Sequence, residues 1–582
     1  MNKKDNLESI RHSLSHLMSM AVQEIYPKVG LGVGPAIDNG FYQDYDTPKP
    51  ITEDMLPKLE KRMREMIAEN IKFKRHYMEA KDALKFYKHD PYKTWFVKDL
   101  KSKKQKLSFY KSGWFDNLCG GPHVESTKEI NPKAFKLTKI AGAYWRGDEK
   151  NKMLTRIYGL AFNTEKELQD YLKMQEEAEK RDHRKLGKEL DLFCFSELVG
   201  PGLPLYTAKG VTIKEELQKE VERICRNYGF EKVSCPSLAK IELFEISGHA
   251  KKFSDELFRV TSPKGHKFVL KPVQCPHHTQ IYASKPRSYR DLPIRYMESD
   301  KQYRAEKPGE VGGLTRVYAI TIEDGHTFCT REQVKDEIKA TVNIIKDFYT
   351  SIGLWGSHWV SLSTRGKDFS KYIGEKKDWD LCEKILQEVS DEMDLKAKKR
   401  PGEAALYGPK LDFMFKDAIG KEIQIPTVQI DFATPQRFNL VFIDKDGKEK
   451  NPVMVHRAIL GSYERFLALI IEHFAGAFPV WLSPLQAVVL PISEKHFDYA
   501  KTVRNQLRES NIRSIIFGSD NETLGKKIRD AEMQKIPYLL IVGDKEVEAE
   551  TVTIRKRGEK KQGVSKIEEF IGKIKKEIGL KK

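Results

Sequence analysis

The stretch Leu292–Thr330, LPIRYMESDKQYRAEKPGEVGGLTRVYAITIEDGHTFCT, constrains the fold more than any other part of the chain. Two runs rich in β-branched and aromatic residues flank a basic, Gly-rich loop, the spacing of two strands joined by a connection. The stretch carries Arg304, Glu306, Arg316, Asp324 and His326. Two guanidinium groups reaching from adjacent strands suit a polyphosphate, because each offers a planar fork of donors to oxyanions. An Asp beside a His suits an amine and a metal.

Around this pair the chain is long enough for several domains. At 582 residues the prior is three or four. No run approaches the length of a membrane span, and the N-terminus MNKKDNLESIRHSLSHL has no apolar signal-peptide core. Seven cysteines at irregular spacing point to a reducing cytosol with single thiols free for metal or chemistry. The net charge of +18 fits a polyanionic partner, and equally a Lys-rich proteome.

Taken in order, Glu8–Ile25 has helical periodicity through Ile10, Leu14, Leu17, Val22 and Ile25, and puts His12 and His16 on one face. A turn-rich strand region follows, then a charged amphipathic helix over Thr52–Asn70. Cys119 and His123 are also four apart, but Gly120, Gly121 and Pro122 between them mark a loop. Glu165–Lys188 is almost wholly polar and reads as a solvated linker helix. A helix is expected from Val211 to Asn227. Beyond it comes a mixed α+β region to about Phe478, with helices near Glu332–Gly353, Trp379–Asp394 and His456–Phe474. After the break at Pro479–Pro484 strands and helices alternate, the pattern of a small α/β domain.

Cys275, His326 and His456 would make a Zn²⁺ set that leaves one coordination position open. They are far apart in sequence, so spacing lends no support, and a buried thiol with two ordinary histidines fits the same residues.

Together, CPHH, IRYMESDKQYRAE, GGLTRV, EDGHTFCT, LYGPKLDF, TVQIDF and VHRAILGSYERF resemble the threonyl-tRNA synthetase family of class II aminoacyl-tRNA synthetases. VERICRNYGFEKVSCPSL, with Pro236, resembles motif 1 of that class; the opening stretch resembles motif 2, and GSYERF motif 3. The resemblance runs from about His12 to the C-terminus. It implies an α+β multidomain fold: an N-terminal α+β editing domain over 1–164, a linker helix over 165–188, a class II antiparallel-sheet catalytic domain over 189–480, and a C-terminal α/β anticodon-binding domain over 481–582. The small β-grasp domain that precedes the editing domain in many relatives is not expected.

The activity implied is ligation of L-threonine to tRNA(Thr) through ATP-dependent formation of threonyl-adenylate, in a cytoplasmic homodimer with no membrane partner. Arg304, Glu306, Arg316, Gln424 and Arg465 match the ATP contacts, with Mg²⁺ held between the phosphates and residues such as Glu306. Arg304, Asp324, Tyr407 and Gln429 match the threonine contacts, and Cys275, His326 and His456 the ligands of one Zn²⁺ per subunit. His249 matches the proton acceptor in transfer to tRNA. A site that engages the threonine hydroxyl rejects valine well, but serine keeps that hydroxyl and lacks only a methyl, worth about 1–3 kcal/mol. A second, hydrolytic site is therefore expected. His12, His16, Cys119 and His123 match the editing residues that clear Ser-tRNA(Thr). In alanyl relatives a similar quartet carries metal, whereas in bacterial threonyl enzymes it positions water and ribose; the metal-free reading is preferred. Glu548 and Arg557 match positions that read anticodon bases.

Several residues depart from the family pattern: Asn117, Ala250, Gln274, Ile322 and Pro426. None removes a ligand or a motif arginine. The rival reading, a catalytically weakened tRNA- or mRNA-binding paralogue, is opposed by intact Arg304, Glu306, Arg316 and Arg465.

Overall fold

A computed structural model describes residues 3–307, 309–416, 420, 422–518, 522–559 and 562–581. The chain divides into two compact units, Met1–Glu176 and Glu177–Lys582.

In the first unit the helix Lys3–Ile25 packs its apolar stripe, including Leu14, Leu17, Met18 and Val22, into a core shared with Phe41 and Ile157. Those partners come from a five-stranded sheet in which Gly40–Asp46 pairs with Met153–Ala161, and that strand with Phe135–Tyr144, all antiparallel. A second sheet joins Phe73–Tyr77, Ser108–Ser112 and Phe115–Leu118. The helix Pro91–Ser102 starts sharply because Asp90 accepts from the amides of Tyr92 and Lys93, with Pro91 at the first helical position.

The second unit is built on an eight-stranded sheet. Its order is Glu231–Lys232, Ile294–Tyr303, Ala319–Cys329, Val453–Ala458, Glu422–Asp431, Lys410–Lys416, His358–Thr364 and Lys398–Pro401. Only the two edge pairings are parallel. The motif 2 stretch is the expected strand pair, running in register from Ile294 opposite Phe328 to Tyr303 opposite Ala319. Helices Ala208–Asn227, Val334–Ile352 and Tyr463–Phe474 bury their apolar faces in one large core with the sheet.

Two sequence expectations need correction here. His456 is not helical: Val453–Ala458 is a central strand, paired on both sides, and the helix begins at Tyr463. A central strand buried on both faces shows no alternation, so its apolar run merges with that of the helix. The break is at Gly461, with φ +65, and Ser462 caps the helix by accepting from the Arg465 amide. The polar stretch after Glu165 is not one solvated helix but two, Glu165–Arg181 and His183–Glu189, separated by Asp182. His183, Leu186 and Gly187 of the second helix are buried, and Leu186 joins the large core.

The C-terminal part follows the α/β alternation. Ser514–Ile516, Ala487–Pro491 and Tyr538–Val542 are parallel, and Thr551–Lys556 and Gln562–Lys566 continue the sheet antiparallel. Among the described residues no helix is long and apolar enough to cross a membrane.

Candidate active site and a second histidine-rich cavity

A cavity of about 400 Å³ opens on one face of the eight-stranded sheet. It brings together every residue expected to act in the central domain: His249, Cys275, Arg304, Glu306, Arg316, Asp324, His326, Tyr407, Gln424, Gln429, His456 and Arg465. Alternation puts Asp324 and His326 of one strand, Gln429 of another and His456 of the strand between them on the same face.

At one end three guanidinium groups converge. Arg316 pairs with Glu306 and Glu310, each at 2.8 Å, and Arg465 Nε donates to the Thr315 carbonyl at 3.0 Å. Burial, and then the charges of Arg304 and Arg316, lower the pKa of Arg465. Clustered like charges of this kind are relieved by a polyanion. Gln424 Nε2 donates to Asp412 Oδ1 at 2.7 Å.

At the other end Cys275, His326 and His456 are all buried, with ligand atoms within 4.8 Å of one another. The hydrogen bonds around them fix which ring nitrogens are free. His278 Nε2 lies 3.3 Å from Glu298 Oε2, so it donates, and its Nδ1 accepts. His326 Nδ1 lies 2.7 Å from that Nδ1 and must be the donor, which leaves His326 Nε2 as a bare lone pair. That atom is buried without any hydrogen-bond partner. His456 Nε2 donates to Asp431 Oδ2 at 3.0 Å, which frees its Nδ1. Carboxylate partners behind imidazoles are the usual support of a metal centre. Burial pushes His326 well below the ordinary imidazole value and the Cys275 thiol well above its own. Two imidazoles and one thiol, with an orphaned nitrogen among them, are a donor set that would suit Zn²⁺ with one position left open.

Burial drives the Asp324 carboxyl up to about 7. The Tyr407 hydroxyl donates to Gln429 Oε1 at 3.0 Å, and its ring stacks on His456 at 4.8 Å. His249 Nδ1 is 2.9 Å from the Ser247 hydroxyl, and burial lowers the ring to about 4.

Three departures have local explanations. Gln274 reaches Glu298 through Nε2 and accepts from Gln302 at 3.3 Å, so it belongs to the support behind His278. Burial pushes the Glu298 carboxyl up, but hydrogen bonds from His278, Gln274 and the Cys235 amide outweigh it and take it down to about 2. Pro426 sits at a bulge, where the register against Lys410–Lys416 shifts, so its missing N–H costs no ladder bond. Asn117 is buried and accepts from the Tyr87 hydroxyl at 3.3 Å. Ile322 lines the cavity and lies opposite Asp300; nothing in the structure explains the choice of isoleucine there.

The first unit holds a second cavity, of about 500 Å³, lined in part by His12, His16 and Cys119. Cys119 Sγ lies 3.3 Å from His12 Nε2 and 3.2 Å from His123 Nε2, and Ser13 Oγ is 3.0 Å from His123 Nδ1. The four expected residues thus form one cluster. Burial lowers His12 to about 4 and His16 further, and raises the Cys119 thiol. The sequence reading missed Lys93, a buried lysine on the wall of this cavity. In sequence it is an ordinary first-turn lysine, and only its burial marks it.

In the C-terminal part Glu548 stands exposed in the short helix Asp544–Ala549. Arg557 is half-buried. Its guanidinium donates to the carbonyls of Ala477 at 3.1 Å, Phe478 at 2.6 Å and Lys535.

Comparison with known proteins agrees with this architecture. Residues 258–474 match the tRNA synthetase class II core domain (G, H, P, S and T), residues 486–577 the anticodon binding domain, and residues 107–158 the threonyl and alanyl tRNA synthetase second additional domain. Fold and cavity therefore define a class II aminoacyl-tRNA synthetase. The chain is 45% identical to a threonine–tRNA ligase of Gloeobacter violaceus over 97% of its own length and 92% of the relative's. It is 44% identical to one of Staphylococcus carnosus over 99% and 89%. A solved threonyl-tRNA synthetase structure from Cryptosporidium parvum, titled as its RNA binding domain, superposes with a TM-score of 0.64 at 34% identity, covering 68% of this chain and 98% of that one. The chain belongs to the threonine–tRNA ligase family.

Proposed function

We propose that the chain activates L-threonine with ATP and transfers it to tRNA(Thr), and that its N-terminal unit hydrolyses Ser-tRNA(Thr). The observation that carries this reading is the one cavity in which three arginines face a half-buried Asp and a Cys–His–His set. In-line attack of the threonine carboxylate on the ATP α-phosphate needs positioning and charge neutralisation more than covalent help. Arg304 bridges the α-phosphate and the carboxylate, Glu306 meets the adenine amino group, and Arg316 and Arg465 clamp the γ-phosphate, with Gln424 as a further contact. ATP brings Mg²⁺. Asp324, Tyr407 and Gln429 hold the amino acid. Cys275, His326 and His456 would hold Zn²⁺, which supplies a Lewis-acid position that separates a β-hydroxyl from a methyl. His249, neutral at physiological pH by virtue of its burial, accepts the proton of the terminal ribose during transfer.

Residues 1–164 act in editing, with His12, His16, Cys119 and His123 positioning water and ribose. Residues 165–188 are the link, 189–480 the catalytic domain and 481–582 the anticodon-binding domain, where Glu548 and Arg557 meet anticodon bases. The protein works as a cytoplasmic homodimer. ATP–diphosphate exchange with each amino acid tests the central claim: exchange is expected with threonine and weakly with serine, and exchange with none would leave only a binding protein.

A further inference from the structure

The loop between the two motif 2 strands turns back on itself at Gly312 and Arg316, whose backbones bond to each other at 3.1 and 3.3 Å. The tip of that turn is fixed from outside by His183. The His183 ring is 5% exposed. Its Nδ1 lies 2.7 Å from Glu472 Oε1 and its Nε2 accepts the Leu314 amide at 3.1 Å. A ring nitrogen facing a carboxylate donates and one facing an N–H accepts, so the ring is neutral with its proton on Nδ1. The His183 amide points at the same Glu472 oxygen at 3.3 Å. Glu472 stands in the last turn of the helix Tyr463–Phe474, whose first turn carries Arg465, and Arg465 holds the next carbonyl of the turn, that of Thr315.

Gly313 completes the fit. Its φ is +52, and a Cβ there would lie 2.3 Å from His183 Nε2. The space next to Leu314 is therefore taken by the imidazole, and any side chain at 313 would push it away.

We propose that His183 is a positioning residue for the nucleotide. It does not touch the cavity. It holds the 312–316 turn through the Leu314 amide, so that Arg316 is presented to the phosphates, and it ties that turn to the helix of Arg465. The inference rests on the reading that Arg316 meets ATP.

The test separates the acceptor from the donor. A Gln side chain can place its oxygen where Nε2 stands, and an Asn can place its NH₂ where Nδ1 stands. In ATP–diphosphate exchange, H183N and H183A should raise the KM for ATP about tenfold, the equivalent of one lost hydrogen bond of about 1.4 kcal/mol. H183Q should stay within about threefold, and the KM for threonine should hold in all of them. If H183A does not fold, the Asn-to-Gln ratio decides alone. Equal ATP KM values for Asn and Gln, or values unchanged from the parent, would overturn the latch. R316A is the control for the underlying reading: unchanged ATP KM there would sink the role of Arg316, whereas a raised value with silent His183 variants would sink only the latch.

Discussion

His456 stands directly opposite His326 across the sheet, and their rings meet edge to face at 4.8 Å. Each ring is turned by a different nitrogen: His326 is anchored through Nδ1 and His456 through Nε2. Cross-strand neighbours on one face lie close enough to share a ligand, and the ligand atoms of Cys275, His326 and His456 all lie within 4.8 Å of one another. Metal analysis of C275S should show the loss of about one equivalent of Zn²⁺ per chain; full zinc with full activity would remove the triad. E298Q should weaken zinc retention about tenfold in a chelator competition, because the His278 relay loses its charged acceptor. Unchanged affinity would show that His326 needs no relay.

The N-terminal cluster should separate from the synthetic site in function. H12A/H16A is expected to charge threonine at the parental rate while Ser-tRNA(Thr) accumulates. Serine clearance like that of the parent protein would refute the editing assignment.

The same cluster makes stability depend on pH. Burial holds His12 at about 4 and His123 at about 2, below the 6.5 of a free imidazole. Below pH 6.5 the unfolded chain takes up protons that the native cluster refuses. The stability is thus complete above 6.5 and falls as pH drops toward 4 and below, by up to about 1.4 kcal/mol per pH unit for each imidazole. Thermal melts of the whole chain between pH 7 and pH 5 should show an early transition moving down, and H12N/H16N should flatten its slope. A melt independent of pH would contradict the buried neutral cluster.

Arg557 should behave as a joint between the C-terminal sheet and the segment after Phe474. R557M leaves the carbonyls of Ala477, Phe478 and Lys535 without their donor, at a cost of about 1–3 kcal/mol. Unfolding midpoints should fall while ATP–diphosphate exchange is retained. A variant of parental stability that fails only with tRNA(Thr) would sink the joint and leave base reading as the role of Arg557.

Much of this molecule is legible in its sequence. The strand–loop–strand of Leu292–Thr330, the helix of His12 and His16, and the C-terminal alternation follow from local periodicity and turn residues, which act over a few neighbours and so survive without a fold. The departures at Gln274 and Pro426 are also visible there, though not their reasons. What only the tertiary structure decided is which distant residues meet. Cys275, His326 and His456 come from a helix and two strands that no spacing rule connects. His278 and Glu298 matter through tautomers set by hydrogen bonds, and His183 hides in a stretch whose composition reads as solvated. Arg557, basic and close to a turn, gives no sign in sequence of the three carbonyls around its guanidinium. Period and propensity are properties of neighbours along the chain, whereas burial, tautomer and hydrogen-bond partner are properties of neighbours in space.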